Sequence, residues 1–471
     1  MTAVLAAVGV ALPFAAAWTA LRRLDPIPPE PAALALRAGL SLLLGTGAAS
    51  LLAYGWLVAG GALGLGYVVV DGALFLALAA GAARGGPERR AAVPLPPAPP
   101  LSRAEAAALA LAAVALVLVT AAFVSDVSLA PDGDWDAWAM WNQRARFLSR
   151  GGDAWRAAFV SDLAWSHLEY PLLLPVSVAR LAVYGGEDAA GPVIAALFAL
   201  APMLVVFGAT ARRVGVLGGA TAALLLAASR QWLFCGSAQG ADVPVAAFVA
   251  AAVAVLLEEE GAGVRRRSLY LALAGALLGL SAWTKDEGIM FATILGGWTL
   301  GRGGRAAAMR TLAALGAGAA LPVIARVHFQ LAVSPDFATA LTTGQTVEGV
   351  LARMVEGDRW RYILLSVSRL FPSPVLLLVA AVLAVAFGAR VRDVPRSFVP
   401  PLLGAYVAFL LVYAAAPTPL AWQVKTTARR IFLQPWPALV VALIAMRSRA
   451  GDPEASRPPR AATRAPASMP S

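Results

Sequence analysis

Residues 132–155 read DGDWDAWAMWNQRARFLSRGGDAW, and residues 167–175 read HLEYPLLLP. Both lie within 126–175, the longest strongly polar passage between two hydrophobic blocks. That passage holds five of the thirteen Trp (Trp135, Trp138, Trp141, Trp155, Trp165), one of the two His, seven acidic residues and four Arg. The side of a membrane on which it sits decides how the rest of the chain is threaded.

The surrounding chain is apolar. It has 59% hydrophobic and 14% charged residues, with a mean hydropathy of +0.72. A soluble domain carries about 25% charged residues. Repeated apolar runs of about 20 residues predict an all-α polytopic membrane protein. Candidate spans fall at 2–21, 33–59, 62–83, 104–124, 189–211, 215–229, 241–257, 268–283, 288–301, 307–333, 362–388, 397–416 and 431–446. The first apolar run lacks a basic start and leads into further spans, so no cleavable signal peptide is expected.

Basic loops test this threading. Arg22/Arg23, Arg84–Arg90, Arg212/Arg213, Arg265–Arg267, Arg302/Arg305/Arg310, Arg390/Arg392/Arg396 and Arg447/Arg449 all fall on one side if about 13 helices cross with the N-terminus outside. That side is the cytoplasm by the positive-inside rule. The loop 126–188 then faces outward, carrying amphipathic juxtamembrane helices. Residues 170–184 (YPLLLPVSVARLAVY) are apolar, but a span there would invert every later loop. They are expected to form a re-entrant or surface-lying helix, with Pro171 in its first turn.

The expected organisation is a three-span unit at 1–83, a Pro-rich basic cytoplasmic linker at 84–103, a core at 104–446, and a disordered cytoplasmic tail at 447–471. The net charge of +11 is topogenic and does not signal nucleic-acid binding. The single Cys235 excludes an intramolecular disulfide framework and a thiolate metal cluster.

Five stretches carry candidate chemistry. In the opening passage, Asp134, Trp138, Trp141, Ala145 and Leu148 share one side at helical spacing, ahead of Gly151–Gly152. Such a helix could be a plain interfacial anchor, yet Asp132, Asp134 and Asp136 are ill suited to an anionic lipid surface. A carboxylate there can act as general base on a hydroxyl. Asp134 and Asp136 together are also candidate ligands for a divalent cation such as Mg²⁺ or Mn²⁺. His167 and Glu169 suit a structural or substrate-orienting pair better than a zinc site. In SAQGADVP (237–244), Asp242 reads as a helix N-terminal charge, with Gln239 free for substrate contact. In WTKDEG (283–288), Lys285 reads either as part of a tight hairpin or as a cation aimed at phosphate. In AWQVKTTARRIFLQPW (421–436), Lys425, Arg429 and Arg430 lie on the side that topology does not favour for cations. Guanidinium and ammonium groups there suit phosphate, whether of substrate or of membrane lipid. Arg144 and Arg146 are further outer cations, and Tyr170 closes the HLEY motif.

In this order, the acidic outer loop with Asp136-Ala137-Trp138, the Pro-Leu-rich segment Tyr170-Pro171-Leu172, DVPVAAF from Asp242 and LSAWTKDEG to Gly288 resemble the C-type superfamily of integral membrane glycosyltransferases. The style is that of protein O-mannosyltransferase-like and aminoarabinose transferase-like enzymes, over about 104–446. The resemblance implies transfer of a sugar from a polyprenyl-phosphate donor to a lipid, glycan or protein acceptor, at the outer face of the cytoplasmic (inner) membrane. It implies catalysis by Asp136 or Asp134. Its matched motifs take in Tyr170, Asp242 and Lys285, and substrate binding is expected of these together with the polar and charged residues singled out above, Arg144, Arg146, His167, Glu169, Lys425, Arg429 and Arg430. The sequence departs from the pattern at Tyr170, where the family has Pro, and at Asp286-Glu287, inserted before Gly288. A transporter or flippase, or a polymerase or ligase of lipid-linked glycans, are the alternative classes.

Overall fold

The computed structural model describes residues 2–24, 30–84, 100–260, 263–334, 345–370 and 374–446. The linker expected at 84–103 and the tail at 447–471 lie largely or wholly outside them. The described residues are all-helical, without strands. In chain order the first helices are α1 (Thr2–Leu24), α2 (Pro31–Val58), α3 (Leu65–Arg84), α4 (Arg103–Leu129), α5 (Asn142–Arg150), α6 (Leu173–Gly185) and α7 (Glu187–Val214). Next come α8 (Val216–Ala227), α9 (Arg230–Ser237), α10 (Asp242–Glu259), α11 (Val264–Thr284), α12 (Glu287–Gly301) and α13 (Arg305–His328). The remainder are α14 (Val347–Met354), α15 (Gly357–Leu370), α16 (Pro374–Ala386), α17 (Val399–Ala415), α18 (Leu420–Ile431) and α19 (Trp436–Ile444).

Among the described residues, six helices are long and apolar enough to cross a membrane: Val4–Arg23, Pro31–Val58, Leu65–Arg84, Arg103–Leu129, Glu187–Val214 and Arg305–Val333. Their outward surfaces match lipid. On α4, Leu111, Val114, Val117 and Leu118 are exposed, as are Leu312, Leu321, Val323 and Ile324 on α13. Such broad apolar faces are costly in water and natural in hydrocarbon. This architecture is consistent with an α-helical membrane protein.

Every expected span contains a helix, but not every helix has span length. At 1.5 Å per residue, α8 is about 18 Å long and α12 about 22 Å, short of ~30 Å of hydrocarbon. Within the expected span 362–388, the described residues are helical as α15 up to Leu370 and as α16 from Pro374 to Ala386.

α10 is the axis of the bundle. Every residue from Asp242 to Leu257 is buried, so it has no apolar face and no polar face. It packs on α7, α11 and α19. Small residues let neighbouring backbones close in around it. A Cβ on Gly318 of α13 would lie 1.7 Å from the Ala272 carbonyl oxygen of α11, and one on Gly39 of α2 would lie 2.7 Å from that of Ala201 on α7.

The N-terminal helices are part of this core. α2 packs on α7, α6, α13 and α10. Its Ser50 hydroxyl accepts from the Trp283 indole at 3.1 Å, and the Tyr54 hydroxyl bonds His328 Nδ1 at 2.8 Å. α6 corrects only the surface-lying alternative expected for 170–184. Leu173–Gly185 is too short to span, at about 20 Å, yet it is not surface-lying. It is buried from Leu173 to Leu181, against α1, α2, α5 and α7. Its Arg180 donates to both oxygens of Asp71 on α3, at 3.1 and 2.5 Å. Tyr67 and Tyr184 donate to the same carboxylate at 2.8 and 2.6 Å. This buried pair is fully hydrogen-bonded and joins α3 to α6.

Candidate functional site

The opening passage folds onto one end of the bundle, at the N-terminus of α10. Ala137–Trp141 forms a π-helical turn, in which the Asn142 amide donates to the Ala137 carbonyl. The extra residue in that turn shifts the helical phase. Trp141, Ala145 and Leu148 are buried together, whereas Trp138 is 43% exposed and Asp134 is exposed. The single apolar side expected from 134 to 148 is therefore broken.

The turn is locked to the 237–240 segment. The Asp134 amide donates to the Ala238 carbonyl at 3.2 Å. Gln239, in left-handed backbone at φ 58°, donates to the Pro131 carbonyl at 2.7 Å and accepts from Asn142 at 3.1 Å. Gln239 is thus a buried structural link, not a free contact for substrate.

This placement sets Asp136 against Arg430, which links it to a chain of charged groups distant in sequence. Arg430, in the last turn of α18, donates through Nη1 to Asp136 Oδ2. The same nitrogen lies 3.9 Å from Asp242 Oδ2. Asp242 opens α10 and is buried there. Its Oδ1 accepts from Lys285 Nζ at 2.9 Å and from Gln434 Nε2 at 2.7 Å. Lys285 Nζ also lies 3.1 Å from Glu287 Oε1 and 5.7 Å from the centre of the Tyr170 ring. The α11–α12 hairpin holds Lys285 in extended backbone, φ −161°. Gly288 permits the tight return, since a Cβ there would meet the Ser281 carbonyl oxygen at 2.0 Å. Lys285 pairs with a hairpin carboxylate, Glu287, and also with Asp242 across the cluster. The neighbouring Asp286 is taken by Arg326 of α13 at 2.5 Å.

Charges here govern one another. Burial disfavours the Lys285 ammonium, but Asp242 and then Glu287 outweigh it and hold its pKa well above the ordinary lysine value. Burial likewise opposes the Arg430 cation, and Asp242 and Asp136 reverse the effect and raise its pKa. Burial raises the Tyr170 phenol, which stays protonated. Two buried acceptor atoms, Glu287 Oε2 and Gln434 Oε1, have no hydrogen-bond partner among the described residues. Polar groups left so in a buried site are the kind that a bound ligand or water satisfies.

An aromatic wall flanks the cluster. Tyr170 stacks between His167 (5.3 Å) and Trp141 (5.6 Å). His167 adopts left-handed backbone, and its Nδ1 lies 3.1 Å from Glu169 Oε1. Arg144 is 1% exposed and donates to the Ser166 and His167 carbonyls, which fixes this loop. Burial pushes its guanidinium down to about 10, against the pull of Glu169.

Four expected site residues stay outside the cluster. Asp134 is exposed, and its carboxylate accepts the Trp135 amide at 2.8 Å. Arg146 pairs with exposed Asp132 at 2.5 Å. Lys425 and Arg429 lie on the exposed face of α18 beside Trp422, with no ion-pair partner among the described residues. Two members escaped the sequence reading, Glu287 and Gln434. The signal for Gln434 was a lone polar residue in FLQPW at the entry to an apolar helix. Among the described residues no three His, Cys, Asp or Glu come together to hold a metal ion. Asp136 pairs with Arg430, and the Asp134 carboxylate accepts from the neighbouring amide.

No protein-family model, no curated protein and no solved structure matches this chain.

Proposed function

We propose that the chain is a multi-pass glycosyltransferase of the cytoplasmic (inner) membrane, threaded about thirteen times, with its site facing outward. It would move a sugar from a polyprenyl-phosphate donor to a lipid, glycan or protein acceptor. One observation supports this reading above the others. Asp136, Asp242, Lys285 and Arg430, from four separate stretches, converge at one end of the bundle. They set a carboxylate for proton transfer beside cations suited to phosphate.

In the proposed reaction the donor phosphate binds Arg430 and Lys285, displacing carboxylate partners. Arg430 then leaves Asp136, which becomes free to act as base. The acceptor oxygen attacks the anomeric carbon as the bond from that carbon to the phosphate oxygen breaks. The acceptor proton passes to Asp136, and the electron pair of the broken bond stays on polyprenyl phosphate. The attack inverts the anomeric centre. Charge grows on the leaving phosphate, so preplaced cations favour the transition state over the ground state. Lys425 and Arg429, exposed beside Trp422, suit the approach of an anionic lipid head group along α18.

The alternative of a transporter rests on charge within the bundle. Asp71 and Arg180 provide it, but both tyrosine hydroxyls and the Gly9 carbonyl close that pair. It serves packing. Incubating purified protein with polyprenyl-phosphate sugars tests the proposal. Release of polyprenyl phosphate supports it, and its absence with every donor and acceptor class overturns it.

A further inference from the structure

The charged cluster leaves two acceptors over. The carboxylates of Asp136, Asp242 and Asp286 each accept from a cation, Arg430, Lys285 and Arg326 in turn. Glu287 Oε2 and Gln434 Oε1 are buried and have no hydrogen-bond partner among the described residues. Gln434 as a whole is fully buried. Buried acceptors left unpaired are costly, and native proteins keep few of them.

What the rest of each side chain holds decides which atom stays free. Glu287 gives Oε1 to Lys285 Nζ at 3.1 Å, so Oε2 is the oxygen left over. Gln434 donates through Nε2 to Asp242 Oδ1 at 2.7 Å. Turning that amide over would set its carbonyl against the Asp242 carboxylate, oxygen to oxygen, so Oε1 remains the free atom. Lys285 Nζ and Asp242 Oδ1, 2.9 Å apart, tie the two residues into one row. The row joins Glu287, at the start of α12, to Gln434, which lies between α18 and α19.

The chemistry of the free atoms selects the part of a substrate that meets them. Both accept, and neither donates. A phosphodiester also offers only acceptors, and a polyprenyl tail has no polar group, so neither satisfies them. A sugar hydroxyl donates. We propose that Glu287 and Gln434 are specificity-determining residues, whose free oxygens accept hydrogen bonds from hydroxyls of the transferred sugar. Lys285 and Arg430 hold the phosphate while these neighbouring acceptors read the ring. The inference rests on the sugar-transfer reading and adds to it the direction of the hydrogen bonds. A site built around a substrate hydroxyl strongly rejects the analogue lacking it, because its own polar groups are then left unpaired.

The test takes the full-length chain and the polyprenyl-phosphate sugar that it turns over fastest, with release of polyprenyl phosphate as the readout. One ring hydroxyl at a time is replaced by hydrogen or by fluorine, which cannot donate. Carbon 2 is left unchanged, since fluorine there slows bond breaking by itself. At one or two positions both replacements should lower kcat/KM at least about tenfold, the loss expected for a hydrogen bond to a buried charged or polar group. Glu287→Gln turns its carbonyl to Lys285 and presents an amide N–H in place of Oε2. The gap between hydroxyl and fluoro donors at one of those positions should then narrow at least about threefold. Should that variant fail to fold, the donor series on the wild-type chain decides alone. Release sustained within about twofold by every deoxy donor overturns the inference and leaves sugar transfer standing. A fluoro donor as good as its parent wherever the deoxy donor is poor shows the protein donating and also overturns it. A gap unchanged in folded Glu287→Gln overturns the role of Glu287. Absence of release from every donor overturns sugar transfer, and this inference with it.

Discussion

Replacing Lys285 with Met removes a buried cation from between Asp242 (2.9 Å) and Glu287 (3.1 Å). At an effective dielectric constant of 20, each contact is worth roughly 5–6 kcal/mol of gross attraction. Desolvation of the ions offsets most of that, so the intact cluster is close to neutral for stability. Removing one partner is different, because the carboxylates stay buried with less compensation. Lys285→Met should therefore cost about 3–5 kcal/mol. Arg430, 3.9 Å from Asp242, relieves part of the burden, which favours the lower end. Asp242→Asn keeps the contact with Gln434 while removing the charge. Added to Lys285→Met, it should recover stability, with a coupling energy of about 1–3 kcal/mol. The assay is reversible unfolding by SDS titration in mixed micelles, followed by tryptophan fluorescence. A Lys285→Met cost below about 0.5 kcal/mol, or strict additivity in the double variant, would refute the buried charge cluster.

Two further outcomes follow from packing. Burial, with Asp242 adding to it, pushes the Cys235 thiol up to about 12. The folded state then favours the neutral thiol, a contribution full below the free value of about 8.5 and lost as pH rises toward 12. Maleimide labelling at pH 8 should be slow in the native chain and rapid in SDS; fast native labelling would contradict the burial of α9. Gly318→Val should destabilise by at least about 1–3 kcal/mol through overpacking against Ala272. Gly316→Ala, which meets open space, should be tolerated in the same titration.

The helices were legible because apolar runs and basic loops encode them directly. Ser102 and Glu105 mark the start of α4 with a reciprocal capping box, readable as S-x-x-E. Burial of α6 was not legible. Tyr170–Tyr184 looks alike whether it lies on a surface or inside, and only the Arg180–Asp71 pair, 109 residues apart, distinguishes the two. The π turn at 137–141 was hidden because periodicity arguments assume one helical pitch. At the site, residue types pointed to Asp136, Asp242, Lys285 and Arg430 as candidates. Their convergence depends on contacts across 294 residues in the case of Arg430 and Asp136, which spacing cannot reveal. Cation type alone did not separate Arg430 from Lys425 and Arg429. Phase on α18 does so, turning one into the cluster and two outward.

The most direct test of the proposed chemistry compares donor turnover in Asp136→Asn and Asp134→Asn. Both should express and fold, since neither carboxylate is fully buried. The account predicts that Asp136→Asn lowers release of polyprenyl phosphate about 10²–10⁴-fold, the usual range for losing a general base. Asp134→Asn should stay near wild type. Full turnover in Asp136→Asn, or loss confined to Asp134→Asn, would contradict the account.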